Sequence, residues 1–137
     1  MTQIVIDAAN VIGSRPDGWW RDRAGAARRL ADGLAAVLAA DPAGLLDAVG
    51  ADRGPASVTL VLEGAAKAGA PTGGEPPLRV VHAEADGDSA IVDVVRQLVA
   101  DGSAPVVVTA DRGLRERVSA AGGRSVGPAR LRTLLDP

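Results

Sequence analysis

Five acidic residues sit just beyond short apolar runs. Asp7 closes Gln3-Ile4-Val5-Ile6, Glu63 closes Val58-Thr59-Leu60-Val61-Leu62, and Asp111 follows Val106-Val107-Val108-Thr109 after one alanine. Asp86 and Asp88 fall between Leu78-Arg79-Val80-Val81-His82 and the next helix-like segment. Carboxylates brought together repel one another, and a cation is the usual way to keep them ionised. All-oxygen donors favour Mg²⁺ or Mn²⁺ over zinc or copper. Such an ion activates water and neutralises charge on a phosphoryl group. The competing explanation is structural, because Asp is a common helix cap and turn residue. It accounts readily for any one acid, and less readily for Asp7, Asp88 and Asp111 together. Asn10 could orient an acid, contact phosphate or bond its own loop. The Thr109 hydroxyl could reach Asp7 from a neighbouring strand or satisfy a local backbone group.

Positioning these side chains needs strands that end on one edge. Runs with little alternation suit strands buried on both faces, as in a parallel sheet. Five strands are expected, at 3–7, 58–63, 78–82, 106–109 and 124–126. Residues 8–18 read as a loop. Ala27, Leu30, Leu34, Val37 and Leu38 recur at helical spacing, predicting an amphipathic helix over about 21–40 with Arg28 and Arg29 toward solvent. Asp41-Pro42 ends that helix or starts a short second one. Asp88 or Ser89 is expected to cap a helix running to Asp101-Gly102, and another helix spans about 112–120. Gly127-Pro128 precedes a short last helix. The segment 64–77, rich in Gly, Pro and Ala, reads as a loop insertion without a long helix. The alternation predicts one three-layer α/β domain over 1–137 with a central parallel sheet of about five strands. Ligands of such sheets bind beyond the carboxyl ends of the strands, where the acids lie.

The chain has 137 residues, 47% of them hydrophobic, but no Phe, Tyr or Cys and a single Met. Its core must be built from Val, Leu, Ile and Ala. Disulfides, thiolate nucleophiles and cysteine zinc sites are excluded, and the lone His82 excludes a multi-histidine site. His82 itself reads as a structural hydrogen-bonding group. The net charge of −2 conceals segregation. Residues 81–101 carry five acids against Arg96, whereas 112–132 carry six arginines against Glu116. A basic surface beside an acidic pocket is compatible with that pattern. No basic leader precedes an apolar run near Met1, and no apolar stretch approaches the roughly 20 residues of a membrane helix, so a soluble, cytoplasmic protein is expected.

Ile4-Val5-Ile6-Asp7-Ala8-Ala9-Asn10-Val11-Ile12-Gly13 resembles the opening of NYN domains, the PIN-like ribonucleases that include YacP-type proteins. Gly87-Asp88-Ser89-Ala90-Ile91 resembles their second acidic motif. Val106-Val107-Val108-Thr109-Ala110-Asp111-Arg112-Gly113-Leu114 resembles the strand before their third acid, and Ser125-Val126-Gly127-Pro128 fits their closing strand and turn. The resemblance runs from residue 3 to about 131. It implies a metal-dependent ribonuclease that brings water to an RNA phosphodiester, using Mg²⁺ or Mn²⁺. It assigns the metal-binding acids to Asp7, Asp88 and Asp111, with Asn10 beside the first, so that these four form the expected catalytic set. Gly87 stands where many relatives carry a second Asp. Asp86 is one candidate to replace that acid, and Glu63-Gly64 resembles an acid-glycine step of related nucleases.

Arg15, Trp19, Trp20, Arg21 and Arg23 cluster in and after the first loop, and Arg112 and Arg115 follow Asp111. Arginine can hold phosphate oxygens and an indole can stack a splayed base. These seven are the expected RNA-binding residues. The bland alternative for the indoles is an apolar lid on the first helix. A rival function is a catalytically weak RNA-binding or protein-interaction module of the same fold, and a homodimer or protein partner is compatible with the apolar helices. A phosphotransferase with Asp7 as nucleophile is a third reading, although Asp7-Ala-Ala lacks a second acid. Gly73-Gly74 lacks the lysine of a phosphate loop, and no dinucleotide fingerprint follows Asp7.

Overall fold

The computed structural model describes residues 1–136. Five parallel strands form one sheet in the order β3-β2-β1-β4-β5. They are β1 (Thr2–Asp7), β2 (Ala56–Leu62), β3 (Leu78–His82), β4 (Val106–Val108) and β5 (Arg124–Val126). The helices are α1 (Ala8–Gly13), α2 (Arg23–Ala40), α3 (Pro42–Ala48), α4 (Gly87–Ala100), α5 (Arg112–Ala120) and α6 (Ala129–Leu135). This is a three-layer α/β/α domain of PIN-like architecture.

The two-residue side-chain period of a strand divides the core. Ile4, Ile6, Val58, Leu60, Leu62, Val106 and Val108 face α1, α2, α3 and α6, together with Leu30, Leu34, Leu45 and Leu131. Val5, Val61 and Val107 face α4 and α5, together with Ile91, Val95, Leu114 and Val118. Fully burying each such side chain is worth about 1.5–3 kcal/mol. Without Phe or Tyr, the core draws on many medium-sized residues instead of a few large ones. The apolar stripe of α4 is therefore spent on the sheet.

Two local features differ from expectation. Residues 8–13, expected as loop, form α1, because an Asp7 oxygen accepts the Asn10 amide at 3.3 Å and caps a helix that starts directly from the strand. The cap of α4 is Asp86, not Asp88 or Ser89. Its Oδ1 accepts the Ser89 amide at 2.7 Å, which places Asp88 inside the first turn. Within 64–77, Gly64–Gly69 forms a 3-10 helix packed against α2, and Gly73 bridges antiparallel to Val80. Contact with α2 is close at Gly69, where a Cβ would overlap backbone atoms of Ala24 and Arg28.

Candidate active site

The strand order places the site. From β1 the chain moves outward through β2 and β3, then returns to the other side of β1 as β4. The crevice at such a switch point is where open α/β sheets bind ligands. Asp7 lies at the end of β1 beside it, only 6% exposed, and the fully buried Thr109 lies opposite. The Thr109 hydroxyl donates to Asp7 Oδ2 at 2.9 Å and accepts the Asp111 amide at 3.1 Å. Asn10 makes a second tie across the crevice, its Oδ1 accepting the Ala110 amide at 2.8 Å. Asn10 thus bonds the neighbouring loop's backbone and fixes α1 against the segment that leads to Asp111.

Asp7 and Asp111 are both helix caps, as the structural explanation required. Asp111 Oδ1 accepts the Leu114 amide at 2.8 Å at the start of α5. Capping nevertheless leaves the electrostatics of the group unrelieved. Burial pushes the Asp7 carboxyl above the ordinary Asp range, the Thr109 and Asn10 hydrogen bonds oppose this, and the charges of Asp88 and Glu63 raise it further. Asp88 is also pushed up, first by burial, then by Asp111 and Glu63, with Arg117 acting in the other direction. Asp7, Glu63, Asp88 and Asp111 therefore form one repelling cluster. Asp88 caps no helix, although as an acid in the first turn of α4 it interacts favourably with the helix dipole.

Glu63 enters through Gly87. Its Oε2 accepts the Gly87 amide at 2.6 Å, and a Cβ on residue 87 would stand 2.9 Å from that oxygen. A side chain at 87 and the present position of Glu63 exclude each other. Asp86 differs from the rest. Exposed and bonded through both oxygens to Ser89, it is held below the ordinary range by the Ser89 amide and hydroxyl. The donor set of the cluster suits a hard divalent cation, and its raised carboxyl groups are those a cation would return to the anionic form. Among the described residues, however, no three acidic or histidine side chains already stand together as a metal-holding group.

The expected RNA-binding residues lie on two sides of this cluster. Arg23 sits 5.3 Å from the Trp19 ring centroid, Arg21 sits 5.9 Å from that of Trp20, and the two indoles meet edge to face at 5.9 Å. Trp19 packs against the core, while Trp20 is 50% exposed, so the pair divides between wall and surface. Arg15 is partly engaged by Asp136 at 3.6 Å. Arg112 and Arg115 are exposed on α5, Arg115 donating to Ser125 Oγ at 3.0 Å. His82 donates to the Ala70 carbonyl at 2.7 Å, a structural role.

Two residues escaped the sequence reading, Arg117 beside the site and Arg132 away from it. Arg117, the cation acting on Asp88 and Asp86, flanks the buried face of α5 made by Leu114 and Val118. Its position one residue from a core stripe was the available signal. Arg132 bonds Asp17 and Asp136 at 3.7 and 3.6 Å and joins α6 to the first loop; its Nε is buried without a partner. Nothing local in the sequence marks that pairing.

No family model matches the chain, and no curated protein matches it. Among solved structures, it is similar to the crystal structure of a Rae1 (YacP) variant from Bacillus subtilis, with a TM-score of 0.66 and 16% sequence identity. The match covers 98% of this chain and 75% of that one. The fold of this protein is thus the PIN-like α/β/α fold that it shares with Rae1 (YacP).

Proposed function

We propose that this protein is a divalent-metal-dependent ribonuclease that hydrolyses RNA phosphodiester bonds at Asp7, Asp88 and Asp111, with Glu63 as a fourth acid. One observation carries the reading. Burial at the end of β1 raises the Asp7 carboxyl and Asp88 and Glu63 raise it further, while Asp88 is itself raised by burial and then by Asp111 and Glu63. Stability alone would not favour such an arrangement. The similarity of fold to Rae1 (YacP) and the ordered NYN-like motifs support the same reading.

A Mg²⁺ or Mn²⁺ ion held by these carboxylates would neutralise charge at the phosphoryl group and activate water. Asp7 would be held for this by Thr109 and by the Asn10 amide. Asn10 acts as a positioning residue, holding the Asp111 loop to α1. Glu63 takes the place that a side chain at 87 would fill, which explains the departure from the family pattern at Gly87. Asp86 serves chiefly as the α4 cap. Arg112 and Arg115 would hold the RNA backbone on one side, and the Trp19–Arg23 region would hold it on the other, with Arg15, Trp20 and Arg21 at its outer edge.

Labelled single-stranded RNA, duplex RNA and DNA are to be incubated with the protein in Mg²⁺, Mn²⁺ or EDTA. Asp88→Asn is the informative variant, since Asp88 caps no helix and folding should survive. RNA cleavage that needs the metal and falls about 100-fold or more in folded Asp88→Asn is expected, the scale of several kcal/mol of lost charge stabilisation. Cleavage that persists in Asp88→Asn overturns the assignment. RNA binding without cleavage under any condition replaces it with a binding module.

A further inference from the structure

Beside the carboxylate cluster lies a cavity of about 450 Å³, between α1, the 3-10 turn Trp19–Arg21 and the 3-10 helix Gly64–Gly69. Its size falls within the roughly 300–1,000 Å³ of small-ligand sites. Ala9, Ile12 and Ala66 supply apolar lining, and Trp19 with Arg23 supplies two flat surfaces. Glu63 and Asp86 supply its acidic part. Glu63 joins the cavity to the first turn of α4, since it lines the cavity and its Oε2 accepts the amide of Gly87, the neighbour of Asp88. The exposed Trp20 is not part of the lining.

The geometry points to this cavity as the seat of one unpaired nucleobase, adjoining the phosphodiester held at the carboxylates; the position of that phosphodiester rests on the nuclease reading. An indole and a guanidinium are the planar side chains on which splayed bases stack. Here the half-buried Trp19 lines the recess and the exposed Arg23 lies beside its ring. A base stacked and paired within a duplex is not free to enter it. The cavity therefore selects single-stranded or looped RNA, and Trp19, not Trp20, makes the contact. Glu63 and Asp86 offer hydrogen-bond acceptors to amino groups on the base edge.

The test is Trp19 fluorescence in the Trp20→Phe protein, which keeps a stacking ring at the outer edge of the RNA path, in EDTA so that no strand is cut. It is titrated with a single-stranded RNA 10-mer, the same RNA as a duplex, and a base-free ribose-phosphate 10-mer. Saturable quenching by the single strand alone is expected, with affinity falling about tenfold or more in Ala85→Phe, where an exposed wall residue is enlarged into the cavity. Single-strand binding without a change in Trp19 emission, equal binding of all three ligands, or undiminished affinity in Ala85→Phe overturns the inference. So does a failure of any RNA to bind. Quenching without cleavage in Mg²⁺ or Mn²⁺ supports the cavity and refutes the nuclease reading. Metal-dependent cleavage without quenching does the reverse.

Discussion

Thr109 reaches Asp7 across 102 positions of sequence, its hydroxyl donating to Oδ2 at 2.9 Å. The Thr109 hydroxyl oxygen in turn accepts the amide of Asp111 at 3.1 Å. One buried hydroxyl thus sets the first acid and the loop of the third. Replacing Thr109 with Val should leave the Asp111 amide and an Asp7 oxygen unpartnered, at a cost of about 1–3 kcal/mol in chemical denaturation. Loss of a bond that lowers the Asp7 carboxyl should also move its titration upward, as read by carboxyl NMR. Thr109→Ser should restore both.

Asp7→Asn should stabilise the protein at neutral pH. Asn caps helices as well as Asp does, so α1 keeps its start. The folded Asp7 carboxyl is raised above its unfolded value, so the folded state holds its proton to higher pH. Stability from this group is fully present below the unfolded value of about 3.8 and is lost as pH rises through the raised folded value. The substitution removes that loss. Thermal melts should show the variant ahead at pH 7, with the gain shrinking as pH falls toward 4. A variant equally or less stable at pH 7 would contradict it.

Divalent ions should stabilise the wild type through the same acids. At a concentration 100 times the dissociation constant, a ligand of the native state adds about 2.7 kcal/mol. Mg²⁺ or Mn²⁺ should therefore raise the melting temperature relative to EDTA, and the rise should be markedly smaller in Asp88→Asn. Equal shifts in the two proteins would place the ion elsewhere.

Gly87→Ala should act through Glu63. The obstructing atoms are the end of a flexible side chain, so the carboxylate can move aside and the stability loss should stay below that of a core substitution. It nevertheless forfeits the 2.6 Å bond from the Gly87 amide. Cleavage by Gly87→Ala, by Glu63→Ala and by the double variant should fall by similar factors, because all three remove one arrangement. Additive losses in the double-mutant cycle would show independent effects.

Gly69→Ala should be costly, because there the added Cβ meets the backbone of α2 instead of a mobile side chain. Overpacking of this kind costs about 1–3 kcal/mol, measurable as a lower denaturation midpoint. It should also weaken single-strand binding, since the displaced 3-10 helix lines the cavity through Gly64 and Ala66.

Much of this was legible in the residues. The apolar runs at 3–7, 58–63 and 106–109 predict the three central strands, because a strand buried on two faces has little need of polar residues. The edge strands at 78–82 and 124–126 are mixed segments with exposed positions. The acid at the end of each of the first two runs pointed to the strand-end edge for the same reason. What escaped depended on side-chain traffic over distance. Asp7 can start a helix directly only because its carboxylate turns back to the Asn10 amide, so α1 read as loop. Asp86, Asp88 and Ser89 all compete as caps on composition, and only the backbone path chooses Asp86. The mutual exclusion of Glu63 and a side chain at 87 links two positions that no local pattern joins.

Asp7, Glu63, Asp88 and Asp111 each leave a different strand-to-helix junction. No contiguous fragment lacking either β1 or β4 contains the set, so the site exists only when the whole sheet does. Their repulsion accordingly weighs on the cooperative folding equilibrium of the domain rather than on the fraying of any one segment. Neutralising these four groups by substitution should shift the global unfolding transition as a unit, and native-state hydrogen exchange would register it in the slowest amides of the central strands.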